Sequence, residues 1–221
     1  MEQALIIGES GGIGAALAAE LAAREVGVTG LSRRRDGLDV TDEASIQRCL
    51  STLTGPYDWI IVATGGLEIG AHRPEKALRA LDPVALAQHF ALNATGPALV
   101  LKHALRLMPR DRPARFAALS ARVGSIGDNA LGGWYSYRAA KAALNQLIHT
   151  AAIEIARSHP LAVVTTLHPG TVDTGLTRNY RGGHAAMPTA DAAGHLLRVL
   201  GALTPAETGG FFDWQGAQVP W

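Results

Sequence analysis

Six short apolar runs alternate with helix-forming stretches along this chain, and that alternation constrains the fold more than any other feature. The runs are Ala4 to Ile7, Val26 to Leu31, Asp58 to Ala63, Ala114 to Leu119, Leu161 to Leu167 and Gly210 to Asp213. Between them lie Ala15 to Arg24, Thr41 to Leu53, a long stretch from Asp82 to about Met108, Tyr137 to Arg157 and Thr189 to Leu203, all rich in helix formers. Thr41 is the expected N-cap of its helix, and Pro83 sits at a tolerated early position in the long one. A strand covered on both faces reads as a continuous apolar run, as residues 58 to 63 do. Such alternation means right-handed crossovers and a parallel sheet with helices on both sides. The expectation is an α/β doubly wound sheet of about seven strands, with the chain from 1 to 221 forming one domain and its ligand at the carboxyl ends of the strands.

Composition narrows the class. Hydrophobic residues make up 48% of the 221, enough for a sizeable core, and this excludes disorder. Lys and Arg total 20 against 19 Asp and Glu, a net charge of +1, so nothing marks a nucleic acid or an anionic membrane as partner. Cys49 is the one cysteine, which rules out an intrachain disulfide and a cysteine metal cluster. No unbroken apolar run approaches the ~20 residues that span a bilayer. Met1-Glu2-Gln3 lacks the basic start of a signal peptide, and a cytoplasmic protein is expected.

The first strand runs straight into Gly8-Glu9-Ser10-Gly11-Gly12-Ile13-Gly14. Glycines at 8, 12 and 14 between a strand and a helix allow a tight turn, a close approach of pyrophosphate to the backbone, and close packing of helix on sheet. The helix start then offers free N–H groups and a positive dipole end. Four glycines could simply make a βα turn, but their place in a β-α-β context points to a Rossmann-type dinucleotide site contacted by Gly8, Ser10, Gly12, Ile13 and Gly14. An NAD site places an acid about 20 residues further on, against the ribose. Here Leu31 to Arg35 reads LSRRR, so Ser32, Arg33 and Arg34 are expected to receive a 2′-phosphate, favouring NADP(H) over NAD(H). The plain alternative is a solvated basic loop. Gly11, where many NADP enzymes carry a basic residue, speaks against the preference.

Tyr137 and Lys141 stand four apart, on one face of a helix. A phenol titrates near ~10, and a neighbouring ammonium lowers that value, giving a tuned acid/base for a carbonyl or alcohol. Tyr-x-x-x-Lys alone is common; its weight comes from the glycine loop far upstream.

With these residues together the chain resembles the classical short-chain dehydrogenase/reductase family over nearly its whole length. The resemblance rests on Gly8, Gly12 and Gly14, on Asp39-Val40, on Asn93, on Tyr137 with Lys141, and on Pro169-Gly170 with Thr174. Ser120 to Asn129 (SARVGSIGDN) and Gly132 to Asn145 (GGWYSYRAAKAALN) are similar to its C-factor-type, cell–cell-signalling branch. The resemblance implies that Tyr137 protonates the substrate oxygen, while Lys141 holds the nicotinamide ribose and lowers the phenol pKa. It implies that Asn93 orients a relay water and that Asp39 and Val40 border the adenine. Pro169, Gly170 and Val172 would lie along the nicotinamide, with Thr174 near its carboxamide or phosphate. The usual Asn-Asn-Ala-Gly is replaced by Ala63-Thr64-Gly65-Gly66, which keeps room for the adenosine but changes the local hydrogen bonding. It further implies a small carbonyl or alcohol substrate and a homodimer or homotetramer built on the long helices, which carry Leu92, Leu99, Leu144 and Leu147.

One departure bears on catalysis. The family's second serine assists the tyrosine; aligned on Gly124, that position is Ala121, and Ser120 fills the first. Three readings stay open: Ser120 supplies the hydroxyl, Ser125 supplies it from the longer loop, or the site is impaired. The last would make the protein a nucleotide-binding signalling or regulatory protein. His89 and His103 read as helix-face residues and His168 as a pocket wall. Trp134, Tyr135 and the segment Asn179 to His184, within a flap from Arg178 to Pro188, are candidates to line the substrate pocket; equally, Trp134 could just anchor the loop.

Overall fold

The computed structural model describes residues 1–180 and 185–221. Its strands are β1 (Gln3–Ile7), β2 (Gly27–Leu31), β3 (Trp59–Val62), β4 (Ala114–Leu119), β5 (Ala162–His168) and β6 (Phe211–Asp213). They form one sheet in the order β2-β1-β3-β4-β5-β6, with every neighbouring pair parallel. The helices are α1 (Gly12–Ala23), α2 (Arg33–Asp36), α3 (Glu43–Ser51), α4 (Pro83–Phe90), α5 (Gly96–Ala104), α6 (Tyr135–Ile155) and α7 (Thr189–Ala202).

Side chains alternate across the central strands, and both faces are dry. Leu5, Ile7, Ile60 and Val62 pack with Ile46 and Leu50 of α3, Val100 and Leu101 of α5, and Leu144 and Ile148 of α6. Ala4, Ile6, Trp59 and Ile61 pack on the other face with Leu17 and Leu21 of α1 and Leu196, Leu197 and Leu200 of α7. Burial on both faces explains why these strands read as unbroken apolar runs.

Three details depart from the sequence reading. Among the described residues the sheet has six strands, not about seven. After α2 the chain turns at Gly37 (φ 67°). The Leu38 N–H then donates to Ser32 O at 3.3 Å and the Asp39 N–H to Ser45 Oγ at 3.0 Å, so donors that a further ladder would use are committed locally. The cap of α3 is Asp42, whose Oδ1 accepts from Ala44 N–H at 3.0 Å. Thr41 is engaged elsewhere, its hydroxyl donating to Asp39 Oδ1 at 2.7 Å. The long helix is interrupted: a π turn over Ala91–Thr95 joins α4 to α5. Counted as one run, Pro83–Leu107 is long and apolar enough to cross a bilayer by length and composition alone, which a search for unbroken apolar runs does not register. Within the fold 44% of its apolar window is buried. Asp82 and Pro83 start it as expected, Asp82 Oδ1 accepting from Ala85 N–H at 2.8 Å.

Of the apolar residues on the long helices, Leu144 belongs to the core, Leu92 and Leu99 pack partly against it, and Leu147 faces outward.

Candidate active site

The glycine turn is closed so tightly that side chains would not fit. Gly8 has φ 86° and its N–H donates to Leu31 O at 2.8 Å, fixing the turn to the end of β2. A Cβ on Gly14 would collide with Gly8 O and stand 2.9 Å from Gly8 C. A Cβ on Gly12 would meet Thr174 Cγ2 at 3.1 Å, which places the loop after β5 against the start of α1. No acid occupies the first turn of α1. Beside Gly8 lies Thr64, whose Oγ1 is buried without a hydrogen-bond partner among the described residues. A backbone cradle at a helix start, with an orphaned hydroxyl at its rim, fits the diphosphate of a dinucleotide.

At the end of β2 the three arginines differ. Arg35 donates to Glu9 Oε2 at 3.0 Å and to Asp36 Oδ1 at 3.2 Å. Ser32 is also engaged: its N–H donates to Asp36 Oδ2 at 2.7 Å and its hydroxyl to the same oxygen at 3.3 Å. Arg33 and Arg34 are exposed, and their side chains form no hydrogen bond or ion pair within the described residues. Asp39 Oδ1 accepts from Thr41 N–H and hydroxyl; these bonds and the Arg33 charge hold its carboxyl below the ordinary range. Val40 is buried, its carbonyl against Gly96.

Four elements converge at the carboxyl ends of β3 and β4. Gly65 follows β3; a Cβ there would come 3.1 Å from Asn93 Oδ1 and 3.6 Å from Lys141 Nζ, so the three lie together. Asn93 comes from the π turn, a distortion that is frequent at functional sites. Its amide grips the backbone of Gly66: Oδ1 accepts from the N–H at 3.0 Å and Nδ2 donates to the carbonyl at 2.9 Å. Lys141 is buried and donates from Nζ to Leu119 O at 2.8 Å, with Nζ 5.8 Å from the centre of the Tyr137 ring. Burial drives the Lys141 ammonium down to about 7. Burial also raises the Tyr137 phenol above its ordinary value, opposite to the lowering expected of a neighbouring ammonium.

Ser120 and Ser125 are both buried, but only Ser125 is paired, its Oγ accepting from Asp128 N–H at 3.1 Å. Ser120 Oγ is without a partner among the described residues. Ala121, beside it, is partly exposed. After β5, Gly170 (φ 81°) passes Trp214, Val172 is buried, and Thr174 reaches Gly12. His168 is mostly enclosed; burial outweighs the Asp213 carboxylate and takes its imidazole down to about 4.

A left-handed turn (Gly132, Gly133 and Trp134, φ 64°, 67° and 52°) precedes α6. It sets the Trp134 ring edge-on to Tyr137 at 6.4 Å and to Tyr180 at 5.8 Å. A cavity of about 260 Å³ opens nearby, lined by Gly65, Gly66, Glu68, Leu176, Asn179 and Tyr180 among others. The Tyr180 hydroxyl donates to Glu68 across it. Asn179 and Tyr180 line this cavity, whereas Tyr135 is exposed. Residues 181–184 of the expected flap lie outside the described residues.

Two neighbours escaped the sequence reading. His89 is buried on α4, its ring edge-on to Tyr137 at 6.0 Å; the spacing of four to Asn93 was its signal. Glu75, from an irregular segment, is buried and accepts from the Ser136 hydroxyl and from Ser136 N–H at 3.2 Å, while its carbonyl accepts from Trp134 N–H at 2.5 Å. No local pattern marks it. His103 does lie on a helix face, 2.9 Å from Glu43.

The family model for short chain dehydrogenases matches residues 2–184. The C-signal of Myxococcus xanthus is 36% identical over 169 residues, 76% of this chain and 95% of that protein. A 1-hydroxy-2-glutathionyl-2-methyl-3-butene dehydrogenase of Rhodococcus sp. (strain AD45) is 29% identical over 195 residues, 84% of this chain and 79% of that one. Among solved structures, an NADPH-bound carbonyl reductase from chicken fatty liver superposes with a TM-score of 0.81 at 21% identity, over 100% of this chain and 94% of that chain. At that identity the likeness speaks for the fold.

Proposed function

The chain belongs to the short-chain dehydrogenase family, in its C-factor-type branch, and is a nicotinamide-dependent oxidoreductase; from that premise we propose an NADP(H)-dependent reductase of a small carbonyl compound, with Tyr137 as its acid. The observation that carries this reading is the convergence of Tyr137, Lys141 and Asn93 around Gly65, next to the glycine cradle.

In this reading residues 1–221 act as one cofactor-binding domain. Gly8, Ser10, Gly12, Ile13 and Gly14 hold the diphosphate, Ala63, Thr64 and Gly65 with Asp39 and Val40 the adenosine, and Pro169, Gly170, Val172 and Thr174 the nicotinamide side. Arg33 and Arg34 meet the 2′-phosphate; Ser32 supports their helix rather than the phosphate, since Asp36 occupies it. The bound nicotinamide supplies the hydride.

Tyr137 Oη gives its proton to the carbonyl oxygen as hydride reaches the carbon, and the alcohol leaves with both. A phenol raised by burial is protonated at neutral pH, which suits the reducing direction. Lys141 holds the ribose hydroxyls and stabilises the phenolate left behind. Asn93 holds the Gly65–Gly66 turn against Lys141 while a water continues the relay. Ser120 stands in for the serine that Ala121 replaces, because its Oγ has no other partner. We further propose a cytoplasmic homodimer or homotetramer without nucleic acid or membrane partners.

A second reading is favoured by Ala121, whose methyl group stands where the family has a hydroxyl: a nucleotide-binding regulatory protein with little turnover. A panel of small ketones and aldehydes with NADPH separates the two. Wild type should turn over at least one, and Tyr137→Phe should lose roughly 10²–10⁴-fold with cofactor binding intact. Retention of more than about a tenth of the rate by Tyr137→Phe would refute the assigned acid.

A further inference from the structure

We infer that His89 is a positioning residue of the reducing site, acting through Asn93; this rests on the reading of Tyr137, Lys141 and Asn93 given above. Side-chain amides can be turned end for end without visible change, but here the backbone settles the orientation. The Gly66 N–H is a donor, so the atom that accepts from it is Oδ1, and the atom donating to Gly66 O is Nδ2. The second Nδ2 proton points at His89 Nδ1, 3.1 Å away. His89 Nδ1 must therefore accept, and its proton sits on Nε2.

The arrangement works only with a neutral imidazole. A protonated ring would set an N–H against the amide N–H at the same contact. Burial holds His89 in the neutral form, with the charges of Lys141 and His72 acting in the same sense. Glu75 opposes them, and the Tyr137 ring closes the remaining side. With Nδ1 as fixed acceptor, Asn93 has one orientation, and through it the Gly65–Gly66 turn beside Lys141 has one position. His89 belongs to the last turn of α4, where helical hydrogen bonding is still regular. It thus ties the irregular π turn to a regular element on one side and to the Tyr137 ring on the other.

The test uses three full-length variants and one measurement on wild type. His89→Asn keeps an acceptor at the Nδ1 position; His89→Leu removes it; Tyr137→Phe reports on the underlying reading. At saturating NADPH, His89→Leu should lose kcat tenfold or more, while His89→Asn stays within about threefold of wild type, because one buried donor loses its partner only in the leucine variant. If both variants match wild type, or both fall equally, the acceptor role is wrong. If Tyr137→Phe stays active, the reading of the site fails independently of His89. Should His89→Leu not fold, the long-range ¹H–¹⁵N spectrum of the wild-type protein decides. Nδ1 unprotonated and Nε2 protonated at pH 7 supports the inference, and the reverse tautomer or an imidazolium overturns it.

Discussion

Gly14→Ala tests whether the glycine turn is as closed as its geometry implies. The added methyl would run into Gly8 O and lie 2.9 Å from Gly8 C and 3.0 Å from Glu9 Cα, all of them backbone atoms that cannot swing aside. Relief requires the first turn of α1 to move away from the end of β1. Overpacking of this kind costs ~1–3 kcal/mol, and a backbone neighbour places it at the upper end. Alanine recovers up to about 1 kcal/mol of helix propensity over glycine. The net loss is about 2 kcal/mol, which for a chain of this size lowers Tm by about 4–8 °C. Gly194→Ala in α7 is the control, because nothing stands within 4 Å of its Cβ position. It should raise Tm by about 1–4 °C. Calorimetry gives both values, and fluorescence titration with NADPH should show weaker binding for Gly14→Ala alone. A Gly14→Ala protein as stable as wild type, or shifted upward like Gly194→Ala, would refute the close approach of helix and strand.

Ser120→Ala should cost on the order of 10²-fold in turnover if its free hydroxyl substitutes for the family serine, with Ala121→Ser gaining little. The opposite pattern in steady-state kinetics, Ala121→Ser tenfold faster and Ser120→Ala silent, would favour the regulatory reading. Arg33→Ala should weaken NADPH roughly 10-fold, as loss of a partly exposed charge-assisted contact does, and leave NADH unchanged. Equal dissociation constants for the two cofactors at low salt would reduce the arginines to a solvated loop. Lys141 titrates near 7 when folded and near ~10.4 when unfolded, so between these values the unfolded chain binds more protons and stability must rise with pH. Denaturant titrations of the cofactor-free protein from pH 7 to about 9.5 should show that rise, and Lys141→Met should lack it; parallel curves would mean that Lys141 is not desolvated.

The sheet was legible because its strands are dry on both faces, which leaves continuous apolar runs in the sequence. The glycine turn was legible because only glycine meets its steric demands at 8 and 14. Tyr137 and Lys141 were legible through their spacing on α6. What escaped depends on contacts distant in sequence or on competition between local bonds. Asp42 capped α3 because Thr41 was already bonded to Asp39, a choice no propensity encodes. Ser32 is bonded to Asp36, four residues on, a contact that the run of arginines between them does not announce. The tyrosine shift went the other way because burial, a tertiary property, raises it. Glu75 reaches Ser136 across 61 residues of chain, and nothing near it in sequence announces the contact.

The π turn in the long helix also ties chain length there to the type of turn. Ala85, His89, Asn93, Pro97 and Leu101 are all buried, at a strict interval of four. At 3.6 residues per turn such an interval drifts by about 160° over four steps, enough to carry the row from the sheet to solvent. The extra residue of the π turn takes back about 100° of that drift. Forcing these residues into a regular α-helix at unchanged length would rotate the two halves against each other by the same angle. Either His89 and Asn93 would leave the site, or Pro97 and Leu101 would leave the core. A single-codon deletion between 91 and 95 is, by contrast, absorbed by a return to regular helix, which keeps the buried rows on either side in phase and removes only the distortion that carries Asn93.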